Sequence, residues 1–187
     1  MGNSVNNKAL LDAAFKGSLD LVVNYIFNNT DIETEDNDGD TALLLAAGAG
    51  HAYIVLYLLK CGAKIRKRNN IGDTALICAA KNDKVEIITL LNPSYINMKN
   101  NNGDTALICA ARNNNLKSVR LLLSYGADII ITNSEGNNAL YYASFNDNVD
   151  MVDSILLYST DIKFKKDYCY KALVNDKFAV KLSQYCD

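Results

Sequence analysis

The chain has 187 residues, the length of one domain or at most two small ones, and its 49% hydrophobic and 21% charged shares are ordinary for a soluble globular protein. Nineteen basic and twenty-one acidic residues leave a net charge of −2, so no overall field draws the chain to nucleic acid or to an anionic membrane. No apolar run is long enough to span a bilayer, and the polar start Met1 to Asn7 has no signal-peptide pattern, so the expected location is the cytoplasm.

Smaller features fit that picture. Asn6 stands where a myristoylation motif beginning at Gly2 requires Ser or Thr, so no lipid is expected. Five scattered cysteines are an odd number, which points to reduced thiols rather than a disulfide framework. Asn28-Asn29-Thr30 is a formal glycosylation sequon, read as chance without export. The abundance of Asn, and of Lys over Arg, is read as the coding bias of an AT-rich genome.

Taken in chain order, the predicted elements repeat. A first helix with Ala9-Leu10 and Ala13-Ala14 reaches a turn at Gly17, and a second carries Leu21-Val22 and Tyr25-Ile26 at helical spacing. Near Asp36 a tight turn leads through Gly39-Asp40-Thr41 into a helix with Ala42-Leu43 and Ala46-Ala47. Gly50 breaks it, Ile54-Val55 and Leu58-Leu59 form the next, and Cys61-Gly62-Ala63 turns into an extended stretch at Ile65. The third unit, from Asn69, reads Gly72-Asp73-Thr74-Ala75-Leu76, then Ala79-Ala80 and Asp83. Its second helix is expected to stop early at Asn92-Pro93, because proline cannot donate a helix bond and disfavours helix before it. The fourth runs from Asn100 through Gly103-Asp104-Thr105-Ala106-Leu107, Ala110-Ala111 and Asn114 to the turn Tyr125-Gly126-Ala127 and an extended stretch at Ile129. The fifth starts at Asn133 and carries Ala139-Leu140, Ala143-Ser144, Asp147, Met151-Val152 and Ile155-Leu156. A shortened sixth begins near Lys166 with Ala172-Leu173.

Each turn glycine suits a tight reversal, and Thr41, Thr74 and Thr105 are expected helix N-caps. Gly17, Gly50, Asp83, Asn114 and Asp147 are residue types that tolerate left-handed backbone. From Leu10 through Leu43, Leu76, Leu107 and Leu140 to Leu173 the steps are 33, 33, 31, 33 and 33 residues, and a fixed period of this size marks a repeat architecture.

These residues resemble the ankyrin repeat, in which a turn, two antiparallel helices and a finger fill about 33 residues. The resemblance covers nearly the whole chain, through Gly-Asp-Thr-Ala-Leu, the paired alanines, Gly50-His51 and Gly62-Ala63. The family's Thr-Pro-Leu-His reads here as Thr41-Ala42-Leu43-Leu44 and its equivalents, which removes some pre-organisation and a polar link. The tetratricopeptide array fits worse, since it has no place for the Gly-Asp-Thr turn and wants a tryptophan. The implied fold is all-α: an ankyrin-repeat solenoid of stacked helix-turn-helix units with β-hairpin-like fingers. It forms a single domain over 1–187, with units about 3–35, 36–68, 69–99, 100–132 and 133–165, and a C-terminal cap over 166–187.

No catalytic residues are expected. His51 is the one histidine and is read as a turn residue bonded to backbone, since a lone His neither builds a multi-His metal site nor, without a neighbouring nucleophile, a catalytic pair. Asp36 to Asp40 lacks the glycine and glutamate places of a calcium loop, so no metal and no cofactor are assigned. Cys78 and Cys109 are expected as free, semi-buried thiols. The acidic first finger (Asp31, Glu33, Glu35) faces a basic second one (Lys64, Arg66, Lys67), and mutual satisfaction is preferred over a docking role.

The resemblance implies a non-catalytic protein–protein interaction scaffold, monomeric, with an unidentified protein partner bound on the concave side and no nucleic-acid or membrane partner. A regulatory or targeting subunit of an enzyme complex, or a pathogen effector binding a host protein, is the alternative. Carried over position by position, the finger tips supply Asp38, Asp40, Ile71, Asp73, Asn102, Asp104, Glu135 and Asn137. The inner-helix flank supplies Leu44 with Gly48, Ile77 with Lys81, Ile108 with Arg112, and Tyr141 with Phe145. Arg112, Tyr141 and Phe145 are the expected hot spot, because Arg and aromatic residues dominate interface energy.

Overall fold

A computed structural model of the chain describes residues 2–91 and 95–159. Ten helices run through them in pairs: α1 (Gly2–Lys16) with α2 (Leu19–Phe27), α3 (Ala42–Ala49) with α4 (Ala52–Lys60), α5 (Ala75–Lys81) with α6 (Val85–Leu90), α7 (Ala106–Arg112) with α8 (Leu116–Ser124), and α9 (Ala139–Phe145) with α10 (Val149–Leu157). The odd-numbered, inner helices stack on one another, the even-numbered, outer ones do the same, and substantial packing runs only within a pair or between neighbouring pairs. This is an all-α solenoid.

The turn inside each pair shows how the local sequence sets the geometry. Gly17, Gly50, Asp83, Asn114 and Asp147 all adopt positive φ, from 52° to 94°. The next residue then donates its N–H back to an inner-helix alanine carbonyl: Ser18 to Ala13, His51 to Ala46, Lys84 to Ala79, Asn115 to Ala110 and Asn148 to Ala143, at 2.9–3.0 Å. That bond from beyond the left-handed residue satisfies carbonyls the helix end leaves open. Gly17 has a further reason to be glycine, since a Cβ there would lie 2.5 Å from the His51 ring. His51 in turn bonds the Phe15 carbonyl through Nε2 at 2.9 Å, the backbone role expected of it, made to the preceding unit.

The paired alanines explain how inner helices approach. Ala13, Ala14, Ala46, Ala47, Ala79, Ala80, Ala110, Ala111 and Ala143 are all buried, so backbones close in where larger side chains would hold them apart. Around them Leu10, Leu43, Ile54, Leu58, Ile87, Leu107, Leu122 and Leu140 fill the continuous core. Each such side chain contributes about 1.5–3 kcal/mol by leaving water.

Several expectations change in detail. Helix α1 starts at Gly2, about two turns before Ala9, the equivalent of the later inner-helix starts, where a finger turn ends the preceding segment. Thr74 and Thr105 cap their helices by accepting from Ile77 N and Ile108 N, whereas Thr41 sits at the same position without a side-chain cap bond. Helix α6 has six residues against nine in α2, α4, α8 and α10, the early stop expected before Pro93. The fingers are hairpin-like turns rather than paired strands, with one isolated bridge, Glu35 to Thr41, among the described residues. Leu44, Ile77 and Ile108, expected on the exposed flank, are buried instead, because that side of each inner helix meets the inner helix of the next unit. The proposed cap at 166–187 lies outside the described residues.

Candidate functional site

Four successive fingers end in the same closed turn. The N–H of Asp36, Asn69, Asn100 and Asn133 donates to the carbonyl four residues on (Asp40, Asp73, Asp104 and Asn137) at 2.9–3.1 Å, and Gly39, Gly72, Gly103 and Gly136 donate back across the tip. The side chain at the first position braces the turn from inside. Asn100 Oδ1 accepts from the N–H of Asn102 and Asp104, and Asn133 Oδ1 from those of Glu135 and Asn137.

The other end of these amides links the units. Asn69 Nδ2 donates to Asp40 at 2.8 Å, Asn100 Nδ2 to Asp73 at 2.8 Å, and Asn133 Nδ2 to Asp104 at 3.0 Å. The tips are joined as well, with Asn70 N donating to Asp38 O, Asn101 N to Ile71 O and Ser134 N to Asn102 O. Further asparagines fasten the helix ends: Asn115 Nδ2 donates to the carbonyls of Ala80 and Lys81, and Asn146 Nδ2 to those of Ala111 and Arg112. Asn69, Asn100, Asn115, Asn133 and Asn146 therefore have a structural use that composition alone does not reveal. The signal of the finger asparagines was the recurrence of Asn or Asp four residues before each finger aspartate.

The structure divides the candidate contact residues into two groups. Asp73 and Asp104 are only 2% and 0% exposed. Lys81 forms an ion pair with Asp73, and Arg112 grips Asp104 through two hydrogen bonds of 2.6 and 2.7 Å. Arg112 also donates to Tyr142 Oη at 2.8 Å and lies 4.6 Å from the centre of that ring. Burial pulls the Lys81 ammonium down, but the Asp73 carboxylate outweighs it and holds the group above the usual lysine range. These four side chains are braced internally, so truncating Arg112 would strand a buried carboxylate.

The second group faces outward. Asp38, Asn102 and Glu135 are exposed at the tips, Ile71 is 55% exposed between them, and Asp40 and Asn137 are half-buried. Phe145 is 74% and Tyr141 46% exposed. Their rings stack with centroids 6.3 Å apart, and Tyr141 meets Tyr142 edge-on at 5.2 Å, the geometries aromatic pairs prefer. Tyr141 occupies the position of the buried Ile108, and the unit that would follow it falls outside the described residues.

Between the first two fingers Lys67 pairs with Glu35, and the Lys64 backbone N–H donates to Glu33 at 2.7 Å. Arg66 lies 4.9 Å over the Tyr95 ring. Cys61, Cys78 and Cys109 are free thiols, and burial pushes those of Cys78 and Cys109 up to about 12, far from nucleophilic activation. Among the described residues no group of three metal-type ligands comes together, and no helix is long and apolar enough to cross a membrane.

A family model described as ankyrin repeats, in three copies, matches the chain twice, over residues 10–97 and 87–166. No curated protein matches it.

Proposed function

The chain belongs to the ankyrin-repeat family, whose repeats are generally protein–protein interaction modules, and on that premise we propose that it is a monomeric, non-catalytic scaffold that binds a protein partner across its finger tips and inner-helix flank. The observation that carries this is the stacked pair Tyr141 and Phe145, exposed on the last described inner helix. Aromatic side chains are among those that dominate interface energy, which makes this pair the expected anchor. Ile71 and the polar tips Asp38, Asn102 and Glu135 extend the same side across the array, joined by the tip-to-tip hydrogen bonds. Asp73, Asp104, Lys81 and Arg112 support this surface from beneath. The free thiols agree with a reducing compartment such as the cytoplasm.

Position-resolved cross-linking tests the reading. A photoreactive residue placed at Ile71, Tyr141 or Phe145 is expected to yield one protein adduct in native lysate, and the same residue at the outer-helix Tyr53 none. Adducts from Tyr53 alone would overturn the assignment of the face. Phe145→Ala should reduce yield from the Ile71 probe while leaving the helical circular-dichroism signal unchanged.

A further inference from the structure

Internal repeats act as controls for one another, and one pair of positions breaks its own pattern. Asp40, Asp73, Asp104 and Asn137 occupy one place in four successive fingers, and Gly48, Lys81, Arg112 and Phe145 stand eight residues later on the inner helices. In the third and fourth units an aspartate and a cation occur together and form an ion pair. In the fifth both are gone, with Asn137 and Phe145 in their places. The second unit alone keeps the carboxylate and drops the cation.

We propose that the second unit forms a notch for a lysine or arginine side chain of the bound protein, with Asp40 as the carboxylate and Gly48 leaving open the space that Lys81 and Arg112 fill in the following units. This rests on the scaffold reading above and names the chemistry of one contact within it.

Three observations support the notch. Asp40 accepts Asn69 Nδ2 on Oδ1, while no ion pair to it forms among the described residues. Burial raises the pKa of Asp40, the Asn69 bond offsets part of this, and the charges of Asp36, Asp38 and Asp73 raise it further. The site therefore carries a carboxylate whose charge is uncompensated, the condition an incoming cation relieves. Gly48 is a helical residue whose added Cβ would meet Asn82 and Cys78 at 3.6 Å, an ordinary van der Waals contact. The glycine is thus not imposed by crowding, and it places no side chain where Lys81 and Arg112 stand in the following units. Exposed Asp38 and Ile71 flank the notch on neighbouring tips, linked through the Asn70 N–H to Asp38 O bond. They offer a second carboxylate for the charged head and an apolar contact for its aliphatic stem.

The test needs no knowledge of the partner. Uniformly 15N-labelled protein is titrated with the capped tripeptides Ac-Ala-Arg-Ala-NH2 and Ac-Ala-Lys-Ala-NH2, with Ac-Ala-Gln-Ala-NH2 as the neutral control. Saturable amide shifts at Gly39, Asp40, Gly48 and Asn69 are expected with the two cationic peptides and not with the neutral one. Gly48→Lys, which supplies the cation from within the chain, and Asp40→Asn, which removes the charge, should each abolish them. Equal shifts with the glutamine peptide, no shifts at all, or cationic shifts that survive in both variants would overturn the notch. A failed titration leaves the cross-linking test of the scaffold face intact, and a failed cross-linking test leaves the titration intact.

Discussion

Asp40, Asp73 and Asp104 share a position yet differ in what surrounds their charge. Asp73 and Asp104 are buried against Lys81 and Arg112, where removal of either partner is costly because a buried ion is left alone. Asp40 is half-buried without a cation, and its pKa is raised, first by burial and then by the neighbouring carboxylates. The folded state therefore holds the Asp40 proton more tightly than the unfolded chain does. Its contribution to stability is fully present below the ordinary value of 3.8 and is lost as pH rises through the folded value. Asp40→Asn cannot ionise and keeps an acceptor for Asn69. Thermal unfolding should show the variant more stable than the parent at pH 7, with the difference shrinking toward zero at pH 3. A difference that stays constant across that range would show that ionisation of Asp40 is not the cause.

Elements in this chain are short, so their ends matter more than their middles. A seven-residue inner helix leaves most of its last carbonyls without helical partners. The solution is shared between units: the outer-helix cap Asn115 and the turn residue Asn146 reach back about 34 positions to the carbonyls at the ends of α5 and α7. Such bonds tie helix termination to unit stacking. Asn115→Ala should cost about 1–2 kcal/mol in urea unfolding, the net value of two hydrogen bonds and a stranded carbonyl. Asn115→Asp, which keeps the shape but cannot donate, should be no better. A loss below a few tenths of a kcal/mol would show that water replaces the amide.

Across the whole molecule, stability is carried by interfaces between neighbours, since no inner helix packs substantially beyond the next one. Perturbation should therefore spread along the array rather than through it at once. Leu107→Ala, which opens a cavity at a buried position of α7, should cost about 3 kcal/mol. Hydrogen exchange should accelerate first in α5, α7 and α9, with α1 protected until global unfolding. Uniform acceleration from α1 to α10 would mean that the array unfolds as a single unit.

The repeat, the positions of its turns, the shortened third outer helix and the all-α class were legible from residue order, because each follows from local chemistry. Left-handed backbone is available to few residue types, proline ends helices, and a 33-residue period places like residues in like surroundings. What each repeated residue faces was not legible. Whether the flank of Leu44, Ile77 and Ile108 meets water or the next unit depends on how one inner helix is rotated against another. The pairing of Asn69 with Asp40, 29 positions away, exists only once the units are stacked. The same holds for the exception at Asp40 and Gly48, since an absent cation has meaning only beside the equivalent sites where one is present. Local sequence determined each unit, and tertiary stacking decided which of its polar and apolar groups stayed exposed, because burial and electrostatic compensation belong to neighbours in space.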